Sequence, residues 1–235
     1  MGSVCLDAKD VVVGCISGLN FDQIAPWVGS LESSGFRGRK VLIHVRVEPQ
    51  TIRELTRFGF ETFDASGLHM RGQPLSCAEL EDDEISVNRF YYIWHYLSQC
   101  GTDAQANRFL VATDVTDVVF QRDPISWLRE NLGTKKLVAG CESLHFEDEP
   151  WGARTMQECY GPDVWNSYRR QLIYNAGTIA GDFRTMIDLF LQIYLLAPGA
   201  LFHAHRKPST LMRINFATTQ DAAFWKKYSE LVRQM

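Results

Sequence analysis

The sequence lacks any apolar run long enough to cross a bilayer. Its start, "MGSVCLDAKDVVVGCISG", sets two aspartates and a lysine before a short apolar stretch, which fits neither a secretory signal nor a transmembrane segment. It also lacks an excess of positive charge. Against 28 Asp and Glu stand 24 Lys and Arg, a net charge of −4. Such a balance offers no general attraction to phosphate backbones or anionic membranes, so nucleic acid is not an expected partner. The six cysteines (Cys5, Cys15, Cys77, Cys100, Cys141 and Cys159) form no CxxC pair and have no histidines at zinc spacing. Reduced thiols in a cytoplasmic setting are the expectation, rather than a disulfide framework. Internal repeats and low-complexity linkers are missing as well.

What remains is ordinary globular composition. Of 235 residues, 46% are hydrophobic and 22% charged, enough apolar material for one domain spanning 1–235. "DVVVGCISG", Asp10 to Gly18, is β-branched and apolar and breaks at glycines, as a buried parallel strand does on reaching a ligand-facing loop. A helical stripe of Ile24, Trp27, Val28 and Leu31 follows, then the strand Lys40 to Val47. A second stripe of Ile52, Leu55 and Phe58 leads to a short strand at Glu61 to Phe63. This β-α-β-α-β order predicts an α/β fold with right-handed crossovers and a mostly parallel, Rossmann-like sheet flanked by helices on both faces.

Further on, Val87, Phe90, Tyr91, Trp94 and Leu97 share one side of a helix that begins in the acidic run Glu79 to Glu84. Then come strand "RFLVATDV", a helix capped by Asp123 and opened by Pro124, and strand "KLVAGCES". The second half reads less regularly. It has "IYNAGTIAG", a helix "DFRTMIDLFLQIYLLAP", a basic loop holding His203, His205, Arg206 and Lys207, and a last helix from Gln220.

The chemistry concentrates in "RFLVATDVTDVVFQRDP", where Asp114 and Asp117 stand at the end of a buried strand. Ligands of parallel α/β sheets bind beyond the carboxyl ends of the strands. Two carboxylates this close repel unless a cation lies between them, and hard oxygen donors suit Mn²⁺ or Mg²⁺ carrying a diphosphate. Equally, both aspartates could be turn residues bonding their own backbone.

In that segment the sequence resembles the GT-A fold nucleotide-sugar glycosyltransferases. "SVNRFYYIWHYL", "ATDVTDVVFQRDP", "IYNAGTIAGDFRTM" and "TTQDAAFW" occur in the family's order and together cover most of the chain. The family's usual Asp-x-Asp is here Asp-x-x-Asp, with Thr116 between as a lesser contributor.

The resemblance implies a metal-dependent enzyme that moves a sugar from a nucleoside diphosphate, UDP first among them, to the hydroxyl of a carbohydrate or other acceptor. Residues to about 124 would form the nucleotide half, and those from about 125 the sugar and acceptor half. Asp114 and Asp117 would hold the metal. Gly14, Cys15, Ser17, Arg89, Thr113 and Asp114 would line the nucleotide site, and Asn175, Ala176 and Gly177 the sugar pocket. Arg89 has a second reading as a structural ion pair, and the "YNAG" segment as a turn before a helix capped by Asp182. Asp221 is a candidate general base that could instead cap the last helix, and Glu142 is a second catalytic or acceptor-binding candidate.

Two other function classes stay open. A nucleotidyltransferase would use similar carboxylates, but "GCISGLNFDQ" has no Lys or Arg for the triphosphate. A noncatalytic sugar-binding protein could retain the same fold.

Overall fold

The computed structural model describes residues 10–68, 84–99, 109–196 and 216–217. β1 (Val11–Ser17), α1 (Phe21–Ser33), β2 (Arg39–Val45), α2 (Pro49–Arg57) and β3 (Glu61–Asp64) alternate as the periodicity predicts. They are followed by α3 (Glu84–Ser98), β4 (Phe109–Thr113), a short β5 (Val119–Phe120) and α4 (Pro124–Asn131). The rest comprises β6 (Leu137–His145), α5 (Pro150–Tyr168), β7 (Leu172–Asp182), α6 (Phe183–Leu196) and β8 (Phe216–Ala217).

Local chemistry explains the boundaries. Asn20 and Gln23 form a reciprocal capping box at the start of α1. Asp123 accepts the Ile125 N–H at 3.0 Å, with Pro124 as the first residue of α4, as expected. Asp182 accepts the Thr185 N–H at 3.0 Å at the start of α6. β2 ends at Val45, two residues before the expected end, because Arg46 turns the chain with φ 53°.

Six strands form one sheet in the order β3-β2-β1-β4-β7-β6. β7 is antiparallel to both its neighbours, so five strands share a direction and one opposes them. The sheet is mostly parallel, as expected, with a single reversed strand in its second half. β5 and β8 pair separately.

Alternation along the central strands sends side chains to two cores. Val12, Leu42 and Val111 meet α1, α2 and α4 on one face, while Val11, Val13, Ile43 and Leu110 meet α3 and α6 on the other. Trp27 is fully buried, lies against Phe60 and Phe120, and donates its indole N–H to Thr113 Oγ1 at 2.7 Å.

α5 lies outside what the sequence led us to expect. It breaks at Gly161, φ 77°, beside Pro162, and no described residue of it belongs to either core. The helix from Gln220, the basic loop, and Glu79 to Asp83 of the acidic run fall outside the described residues.

Two groups whose pKa values the fold holds low set an acid limit on stability. Burial holds the pKa of His44 below its ordinary 6.5, against the pull of Asp64, whose carboxylate lies 3.9 Å away. Hydrogen bonds from Arg39, at 2.8 and 2.6 Å, hold Glu61 below its ordinary 4.5, with a smaller contribution from Tyr96. In both cases the unfolded chain takes up protons first on acidification, so stability is full above the ordinary pKa and declines as pH falls through the folded one. The melting temperature is expected to be level between about pH 7 and 8, to fall below about 6.5 and to fall again below about 4.5. His44→Gln should remove the upper step, and thermal melts across that range would expose an unchanged profile.

Candidate active site

β4 stops at Thr113, and the next residue, Asp114, stands at the carboxyl edge of the sheet between β1 and β7. Its N–H donates to the carbonyl of Gly177 at 2.6 Å, which extends the β4–β7 pairing by one rung. There β7 departs from β6. Ala139 pairs with Ile179 but Gly140 pairs with Asn175, so 176–178 bulge out of the β6 ladder to follow β4.

The bulge brings three groups to the aspartate. Arg89, on α3, pairs with Asp114 Oδ1 and donates its second amino group to the Ala176 carbonyl at 3.4 Å. Asn175 turns its Oδ1 onto the N–H of Gly177 at 2.6 Å. The carboxylate of Asp114 crosses directly over Gly177. A Cβ at that position would lie 2.6 Å from Asp114 Oδ2 and 2.8 Å from Asn175 Oδ1. Only a residue without a side chain leaves room for this arrangement.

Cys15 faces the same group from β1. Burial pushes its thiol up to about 12, with Arg89 pulling down and Asp114 pushing further up. A thiol held this high stays protonated at neutral pH and is a poor nucleophile. Structure therefore unites Cys15, Arg89, Asp114, Asn175, Ala176 and Gly177 at one edge.

Other residues singled out in the sequence sit differently. The Thr113 hydroxyl points to the opposite face and accepts from Trp27. Gly14 faces that side too, where a Cβ would lie 2.5 Å from Val115 Cγ2, so this glycine makes room for the turn after β4. Ser17 ends β1 half-buried. Asp117 is half-buried and Thr116 exposed in the turn before β5. Glu142 lies in a second irregularity, where Cys141 pairs with Tyr174 and His145 with Leu172, leaving Glu142, Ser143 and Leu144 opposite one residue of β7. Ser143 takes φ 59° there. Asp221 lies outside the described residues.

Sequence reasoning passed over Tyr174, which is 66% exposed between this bulge and Asn175. A large aromatic immediately before the asparagine of "IYNAG" was the available signal.

The donor chemistry at the edge fits a hard divalent ion. Asp114 Oδ2, left over once Arg89 has taken Oδ1, is a hard oxygen donor, and the Asp117 carboxylate follows in the turn before β5. Among the described residues no group of three or more His, Cys, Asp or Glu is arranged to hold a metal. Mg²⁺ that arrives on a diphosphate needs only one or two carboxylates, because phosphate oxygens and waters complete its shell. No helix among the described residues is long and apolar enough to cross a membrane.

No protein-family model matches the sequence, and no curated protein matches it. Solved structures do. The galactosyltransferase LgtC, in complex with donor and acceptor sugar analogs, aligns with TM-score 0.51 and 12% identity over 96% of each chain. The bifunctional glycosyltransferase WbbM aligns with TM-score 0.49 and 12% identity over 83% of this chain and 35% of its own. GlyE of Streptococcus pneumoniae aligns with TM-score 0.46 and 14% identity over 86% of this chain and 41% of its own. The chain thus spans well under half of the last two. With its mostly parallel sheet and reversed β7, the chain has the GT-A fold that it shares with the galactosyltransferase LgtC.

Proposed function

We propose that this protein transfers a sugar from a nucleoside diphosphate, UDP, to an acceptor hydroxyl, with Mn²⁺ or Mg²⁺ held by Asp114 and Asp117. The observation that carries this reading is the meeting of the Asp114 carboxylate, the Arg89 guanidinium and the Asn175–Gly177 bulge at the carboxyl edge of the sheet. When bound, the cation supplies charge stabilisation to the departing diphosphate.

The chain's own residues do the rest. Asp114, fixed at Oδ1 by Arg89 with Oδ2 lying over Gly177, is held in one orientation, which is the preorganisation that such a site needs. Arg89 adds a fixed positive charge beside the leaving group. Asn175, Ala176 and Gly177 form the floor on which the donor sugar rests, and backbone around Gly14, Cys15 and Ser17 receives the nucleoside. In this reading the nucleotide half ends near 124 and the sugar and acceptor half follows. Glu142 and Asp221 are the candidates to receive the acceptor's proton, Glu142 on the bulge beside exposed Tyr174. LgtC, bound to donor and acceptor sugar analogs, supports a carbohydrate acceptor. Cys15 and Cys141 are free thiols, in keeping with a reducing, cytoplasmic setting.

The turn entering α1 argues against nucleotidyl transfer, since Gly18, Leu19 and Asn20 bring no cation and Asn20 is committed to its cap. Calorimetry with a panel of nucleoside diphosphates tests the reading. UDP is expected to bind with Mn²⁺ and not without it; equal binding in the two conditions would refute it. Slow hydrolysis of a UDP-sugar would separate an enzyme from a sugar-binding scaffold.

A further inference from the structure

We infer that Arg89 is a built-in counter-cation that makes divalent-ion binding at Asp114 conditional on a diphosphate. The inference rests on the metal and UDP reading above and deepens it.

Arg89 is held where it stands. One amino group engages Asp114 Oδ1, the other reaches the Ala176 carbonyl at 3.4 Å, and the guanidinium lies 5.0 Å from the centre of the Phe90 ring. Its Nε is buried and has no hydrogen-bond partner among the described residues, so its hydrogen bonding runs through the two amino groups. A guanidinium does not deprotonate in a protein, so this charge cannot be shed to admit a metal ion.

The charge balance follows. Asp114 and Arg89 cancel, and Asp117 alone gives the aspartate pair a net negative charge. Divalent-ion affinity rises with the charge count of the ligands, and a bare ion beside Asp114 Oδ2 also meets the repulsion of a guanidinium seated on the same carboxylate. A diphosphate reverses both terms. Its oxygens enter the metal shell, its negative charge offsets Arg89, and Arg89 in turn attracts it. Ion and diphosphate each bind weakly alone and tightly together, and the coupling is reciprocal. A metal site without this arginine would bind the bare ion more tightly, whereas here the ion arrives with the donor.

Mn²⁺ binding followed by calorimetry and by the electron paramagnetic resonance signal of free Mn²⁺ tests this without reference to turnover. In the wild-type protein, Mn²⁺ alone should bind at least about tenfold more weakly than Mn²⁺ with saturating UDP. Arg89→Gln should tighten Mn²⁺ alone by about tenfold and shrink the coupling, while Arg89→Lys, which keeps the charge, should leave Mn²⁺ alone weak. A gain in affinity on losing the arginine is not what mere loosening of the fold would produce. A folded Arg89→Gln that binds Mn²⁺ no more tightly would overturn the inference and leave the transferase reading standing, whereas equal wild-type Mn²⁺ affinity with and without UDP would, by reciprocity, remove both. If Arg89→Gln does not fold, Arg89→Met, which removes the charge and keeps an apolar stem, takes its place, and Mn²⁺ bound no more tightly by that variant overturns the inference. Failure of the wild-type protein to bind UDP with Mn²⁺ would instead sink the transferase reading, and this inference with it.

Discussion

Asp114→Asn should abolish Mn²⁺-dependent UDP binding and lower sugar transfer by at least about 10²–10³-fold. The substitution keeps the shape of the side chain and removes its charge. It costs the site a metal ligand and leaves Arg89 facing the diphosphate without its partner. The cost to folding is small by comparison. The side chains of Asp114 and Arg89 are 32% and 22% exposed, so solvent screens the pair and its loss is worth about 1 kcal/mol. Calorimetry and initial rates, set beside a thermal melt, check both halves. A variant that melts near the wild-type temperature and still binds UDP with metal would remove Asp114 from the site.

Gly177→Ala is expected to disable the protein while leaving the fold in place. The backbone at Gly177 is not in the left-handed region, so alanine meets no conformational penalty there. The obstacle is local. The new methyl would press on Asp114 Oδ2 and Asn175 Oδ1, at 2.6 and 2.8 Å, and both oxygens would have to move by roughly 1 Å to restore ordinary contact. Displacement of that size at a reacting centre costs about 10²-fold in rate. Measured kcat/KM should fall by that order, with a shift in melting temperature of a few degrees at most. Wild-type kinetics in this variant would mean that the carboxylate does not work from where it crosses the glycine.

Much of the first half was legible because its signals are local. An apolar run broken by glycine marked β1, the apolar run from Lys40 marked β2, helical spacing marked α1, and the Asp123–Pro124 pair marked the start of α4. The site was legible one residue at a time, as Asp114, Arg89 and Asn175 to Gly177, without the geometry that unites them. That geometry depends on β7 running backwards beside β4, and strand direction leaves no mark in the alternation of apolar residues. Gly14 and Thr113 show a related limit. Thr113 ends β4, whereas β1 runs on through Gly14 to Ser17; alternation turns both to the α1 face, and the contact that employs Thr113 comes from Trp27, 86 residues away in the chain. α5 was missed because a helix with little buried surface carries no apolar stripe, and Gly161 with Pro162 interrupts what periodicity there is.

That same helix bears on how such a protein could diversify. α5 and the outer ends of β6 and β7 form an excursion whose described helical residues enter neither core, while Tyr160, Tyr168 and Tyr174 stay open to solvent. Substitutions or length changes there would leave the packing behind Asp114 untouched. Lineages could therefore trade one excursion for another and so acquire new clients, while the machinery along β1 and β4 is inherited intact.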